Sequence, residues 1–131
     1  MADLENIKKY KKTELLSSSP EELYVKMVET VVRDLKIASA ALAAKNDDEF
    51  YDSIIKACEM WGLLVDMLFS IDTKGDENLK ELKIIYASVE KSLAKISINR
   101  DYETLQIVIQ TTEIVKKMWQ KPLENGGNFG G

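Results

Sequence analysis

The sequence predicts an all-α protein: an antiparallel up-down four-helix bundle preceded by a mobile or loosely docked N-terminal segment. Three observations lead there. Apolar residues recur at steps of three and four through four successive stretches, which places each set on one helical face. Only short turn signals separate the stretches, and short connections between helices of similar length make neighbours antiparallel. Between Pro20 and Pro122 the only glycines are Gly62 and Gly75, so little interrupts the helices from within.

The first 18 residues form a segment of their own. Leu4, Ile7, Tyr10 or Lys11, and Leu15 give a broken amphipathic pattern, cut by the run Lys8-Lys9-Tyr10-Lys11-Lys12. A helix this short is marginal alone in water. Ile7, Tyr10, Leu15 and Leu16 are the residues with which it would fold back over an exposed apolar groove. The lysine run reads as a solvated face.

The bundle is expected over residues 19–121. Ser19-Pro20-Glu21-Glu22 opens the first helix: Ser19 caps, Pro20 suits the first helical position, and Glu22 closes a capping box. Leu23, Met27, Val31, Leu35, Ala38 and Leu42 follow on one face. A second capping box, Asn46 to Glu49, starts the next helix, whose core stripe is Ile54, Ala57, Trp61, Leu64 and Leu68. After the turn Asp72-Thr73-Lys74-Gly75-Asp76, the third helix carries an unbroken heptad stripe: Leu79, Leu82, Tyr86, Val89, Leu93 and Ile96. Asn99-Arg100-Asp101 is the last turn, and Leu105, Val108, Thr112, Val115 and Trp119 complete the bundle. Helices of about 20–25 residues would be roughly 30–37 Å long. Residues 122–131, with four of the six glycines, read as a flexible tail.

Composition narrows the function. At 131 residues the chain is one domain with one core, and no staple is needed to hold it. There is no histidine, which removes Ser-His-Asp and Cys-His catalysis and histidine-ligated metals. A lone cysteine, Cys58, makes no internal disulfide, and among apolar neighbours it reads as an inert thiol. Eighteen basic residues against 22 acidic ones give a net charge of −4, which argues against nucleic acid as a partner. The N-terminus is too polar for a signal peptide, and the stretch Leu63–Ile71 is too short to span a membrane. No phosphate loop, calcium loop or di-iron motif is present. The expectation is a non-enzymatic, cytoplasmic protein with no cofactor and no metal.

Two helices carry more apolar surface than a bundle needs. In the second, Lys56, Glu59 and Asp66 occupy one narrow strip, with Leu63 inside it. Met60, Met67 and Ile71 lie on one flank, and Ile55, Cys58 and Phe69 on the other. In the fourth, Ile107, Thr111, Ile114 and Met118 form a second stripe. Such arcs thicken a core, bury a homodimer contact, or bind an amphipathic or extended peptide, for which edge methionines are suited. The residues singled out for partner binding are Met60, Leu63, Met67, Ile71, Ile107, Ile114 and Met118.

Several of these features occur in a familiar order. Tyr10 comes first, then Ser-Ser-Pro-Glu-Glu-Leu over Ser18–Leu23, Lys56-Ala57, Ile71-Asp72 with Lys74-Gly75, Ile85-Tyr86, Asp101 and a closing Trp119. In order, spacing and length the chain resembles the FliS family, the flagellar secretion chaperones of flagellin. The resemblance implies a helical bundle that binds the disordered C-terminal segment of new flagellin. It also implies prevention of premature polymerisation and delivery to the flagellar export gate. The N-terminal segment, with Tyr10, would occupy part of the groove when the client is absent. A monomer or weak homodimer is expected, and a self-associating structural or regulatory bundle, or a paralogue with another client, is the alternative.

Overall fold

A computed structural model of the protein describes residues 20–124. The expectations for Ile7, Tyr10, Leu15 and Leu16, for the Ser19 cap and for the glycine-rich tail lie outside the described residues. Four helices follow one another: α1 Pro20–Ala43, α2 Asp47–Phe69, α3 Glu77–Asn99 and α4 Tyr102–Glu124. Helix α4 continues through Pro122 to Glu124, past the expected end at residue 121.

The caps are local and polar. The Asn46 carboxamide oxygen accepts from the Glu49 N–H at 3.2 Å, while its NH2 donates to the Glu49 carboxylate at 3.1 Å. Asp76 accepts from the Leu79 N–H and Asp101 from the Thr104 N–H, both at 3.1 Å. Each satisfies one amide that the first helical turn leaves without an intrahelical acceptor. The Asp101 carboxyl is held below its ordinary pKa by that bond to Thr104, with Lys95 helping.

Helix α1 packs on α2 and α4, and α3 packs on α2 and α4. The backbones of the diagonal pairs do not come close among the described residues, which is the ring of an up-down bundle. The four expected stripes face inward, and all six residues of the α3 stripe are buried. The two helices on the α1–α3 diagonal are nonetheless unlike. Helix α1 also buries Tyr24, Val25, Val28 and Val32, so its apolar arc wraps far round the helix. Helix α3 buries its heptad stripe and nothing more, which leaves both its flanks near solvent.

Aromatic side chains tie the helices together across the centre. The Trp61 indole N–H donates to the Tyr86 carbonyl at 3.0 Å, with the rings 4.6 Å apart. The Trp119 indole N–H donates to the Tyr86 hydroxyl at 2.7 Å, and Tyr24 stacks on Trp119 at 4.4 Å. Burial pushes the Tyr86 phenol far up, so it stays protonated.

Two turns put a non-glycine residue in the left-handed region, Lys45 at φ 59° and Arg100 at φ 52°. A Cβ there costs roughly 1–2 kcal/mol. Lys45→Gly is therefore expected to raise Tm. Arg100→Gly is expected to gain much less, because Arg100 holds the Asp47 carboxylate at 2.9 Å and the Tyr51 hydroxyl at 3.1 Å. Thermal unfolding of the two variants side by side checks the difference; equal gains would mean that the Arg100 clamp contributes nothing.

Candidate functional site

The two sets of residues singled out in the sequence occupy different places. On α2, Met60 is only 5% exposed and belongs to the core, not to an open surface. Leu63 and Met67 are half-buried against that core. Their wheel positions place them on the α1 side of α2, where Lys56 and Asp52 act on Asp34 of α1. Ile71 lies beyond the end of α2 and lines a cavity at that end of the bundle.

On α4 the stripe is open. Ile107 is 62% exposed and Ile114 58%, while Met118 is half-buried against the core. The side of α4 next to α1 is marked by Lys36–Glu113 at 2.8 Å and by Gln106, which donates to Ser39 at 2.6 Å. Stepping 100° per residue puts Ile107, Ile114 and Met118 on the other side, toward α3. Across the groove α3 presents half-buried Ile85. The α4 set therefore shares a face with α3, and the α2 set lies across the bundle from it. One groove does not hold both.

Sequence reading missed Ile84 and Ile98 of α3, both well exposed. The signal was available: they sit opposite the core stripe of a helix that already had all the apolar residues it needed. Ile55 and Phe69, about half exposed, were read as a flank of α2 and assigned no role.

At the α1 entrance end, a cavity of about 800 Å³ lies between the start of α1, the α2–α3 connection and α4. Tyr24, Trp119, Ile71 and Leu79 form its apolar side; Glu21, Asp72, Asp76 and Glu77 bring carboxylates to it. Pro20, the first described residue, immediately precedes Glu21 on its wall. The arrangement suits a chain that is apolar and basic in alternation.

Nothing in the described residues assembles a reaction centre. No group of three or more Asp, Glu or Cys side chains is placed to hold a metal among them. Burial pushes the Cys58 thiol up, against a weaker pull from its contact with Ser97 at 3.7 Å, so the thiolate is scarce at neutral pH. No described helix is long and apolar enough to cross a membrane.

Asp34 is the one buried carboxylate of the α1–α2 contact. Burial holds it above its ordinary pKa; Arg33 and Lys56 pull it down, and Asp52 pushes it up again. The folded state therefore binds this proton more tightly than the unfolded chain does. Its contribution is fully present below the ordinary carboxylate value and is lost as pH rises through the raised one. Asp34→Asn is expected to remove this downward slope. Urea unfolding of parent and variant across the acid range tests it; parallel curves would refute it.

Compared with known families, the chain matches the family model described as flagellar protein FliS over residues 3–125, nearly its whole length. No curated protein matches the chain.

Proposed function

The chain belongs to the FliS family of flagellar export chaperones, and from that premise we propose that its client is flagellin, held by the disordered C-terminal segment. The observation that supports this reading is the apolar surface left open beside α3. Ile107 and Ile114 of α4 are each more than half exposed. A client folding an amphipathic helix into the α3–α4 groove would cover them together with Met118 and Ile85. Burial of apolar faces drives such binding, and ordering of the client opposes it.

Leu63 and Met67 on the far side, with Ile71 at the end cavity, would meet a client that wraps around the bundle. Met60 would support that surface from beneath. Before the client arrives, the N-terminal segment would cover part of the apolar surface through Ile7, Tyr10, Leu15 and Leu16. Its four lysines fit the carboxylates around the end cavity, beside which α1 begins. Held this way in the cytoplasm, flagellin is kept from polymerising and is passed to the export gate. No enzymatic step and no cofactor enter this scheme.

Calorimetric titration with the C-terminal segment of the source organism's own flagellin tests the proposal. Saturable one-to-one binding with a negative heat-capacity change is expected. Absence of binding to both the segment and intact flagellin monomer would overturn it.

A further inference from the structure

A second cavity, of about 450 Å³, opens on the outer side of α1 where it meets α4. Val32 is buried at its base, while Ile37 is 37% exposed and Ala40 is exposed, so the groove has an apolar floor. Its charged lining is Arg33, Lys36, Lys116 and a single carboxylate, Glu29. Stepping 100° per residue along α4 puts Lys116 nearly opposite Ile107 and Ile114. The groove and the open isoleucine stripe therefore lie on different sides of that helix.

Two contacts fix the level of the antiparallel pair: Lys36 Nζ lies 2.8 Å from the Glu113 carboxylate, and Gln106 donates to Ser39 at 2.6 Å. Arg33 stands one turn before Lys36, and Lys116 one turn after Glu113. Arg33 and Lys116 therefore come level on facing helices. Lys36 is engaged by Glu113, so it counts for little here. Arg33 reaches only its own neighbour Asp34, through Nε at 3.8 Å, and its side chain is 68% exposed. Lys116 and the next residue, Lys117, make no ion pair among the described residues; both pull on Glu113 at longer range, adding to Lys36 in holding its carboxyl below the ordinary pKa. Two cations facing each other with no anion between them repel. In a chain of net charge −4 this is an unbalanced spot.

We propose that this groove docks an acidic segment of a partner protein, with a large apolar side chain seated over Val32 and flanking carboxylates on Arg33 and Lys116. The guanidinium fork offers a carboxylate two parallel N–H donors, and the ammonium adds a point charge beside it. Other occupants match the groove less well. The chain's own N-terminal segment, with four lysines between residues 8 and 12, would add to the repulsion. A second copy applied through the same face would set cations against cations. A nucleic acid would find no aromatic ring among the lining residues on which a base could stack. Because the isoleucine stripe of α4 stays open, this partner binds beside the client, and the proposal stands apart from the client's identity.

Selection of random 12-residue displayed peptides on the full-length chain tests it, with Lys116→Glu as the surface for counter-selection. The enriched sequences are expected to combine two or more Asp or Glu with a large apolar residue. A synthetic copy of one should bind the parent saturably and more weakly as salt rises. Arg33→Glu and Lys116→Glu should each weaken it by roughly tenfold or more, since a carboxylate then faces a carboxylate. Glu29→Gln removes the competing carboxylate of the lining and should tighten binding roughly two- to threefold. The Ile107→Asp, Ile114→Asp double variant should bind the peptide like the parent, which separates this groove from the client's. Circular dichroism shows whether each variant is folded. Enriched peptides without an acidic bias, folded Arg33→Glu and Lys116→Glu variants that bind like the parent, or loss of binding in the double variant would each overturn the proposal. Displacement of the peptide by a single-stranded oligonucleotide would overturn it too, by assigning the groove to nucleic acid.

Discussion

Trp119→Ala is expected to cost about 3–5 kcal/mol of unfolding free energy, the largest loss of any single change considered for this fold. The indole is 2% exposed, stacks on Tyr24 of α1 and donates to the Tyr86 hydroxyl of α3. It therefore ties α4 to both neighbours in the ring. Removing it leaves a cavity among three helices whose backbones are fixed elsewhere, and such cavities close only in part. Against a total stability of roughly 5–15 kcal/mol for a domain, the loss brings the variant near its unfolding threshold. Tyr86→Phe dissects the same hub: it keeps the volume and removes the acceptor, for an expected loss of about 1–3 kcal/mol. Urea titrations followed by circular dichroism give both numbers. A Trp119→Ala midpoint close to the parent's would mean that the bundle is held mainly by its aliphatic stripes.

How much of this was legible in the sequence differs from helix to helix, for a physical reason. The core stripe of helix α3 was legible in full, because its six buried residues form a single stripe; its exposed Ile84 and Ile98 were not. Helix α1 was legible only in part. Tyr24, Val25, Val28 and Val32 widen its arc, and a wide arc looks the same whether a second helix or solvent lies against it. The ambiguity is resolved by which helices become neighbours, and periodicity carries no information on that.

The same ambiguity explains Met60. Its position on the flank of α2 suggested a surface residue, but that flank meets α1. There Ala38 and Ala41 on one side and Ser53 and Ala57 on the other are small, and all four are buried. Small side chains there let the two helices approach closely, and Met60, further along the same helix, is buried too. On α4 the corresponding second stripe turns toward α3, which offers only Ile85 to meet it, so Ile107 and Ile114 remain in solvent. Periodicity thus marked the second apolar stripes of α2 and α4 without telling that Met60 lies in the interior and Ile107 and Ile114 in solvent.

That division sets the second large effect. Ile107→Asp and Ile114→Asp should each fold normally, because both side chains already stand mostly in water and their loss empties no cavity. If the client covers them, each forfeits about 1.5–3 kcal/mol of apolar burial and adds a carboxylate to an apolar contact. The expected result is a loss of roughly tenfold or more in affinity for each, and beyond about a hundredfold for the pair. Met60→Asp makes the contrasting case, since a charge placed in the core should lower Tm before it touches binding. Met67→Asp decides the path of the client: a loss like that of Ile114→Asp means that the chain wraps to the α1 side, and no loss confines it to the α3–α4 groove. A folded Ile107→Asp, Ile114→Asp double variant that binds flagellin as tightly as the parent would remove the α4 stripe from the binding surface. The open isoleucines beside α3 would then need another occupant, and the calorimetric and thermal data together separate that outcome from mere unfolding.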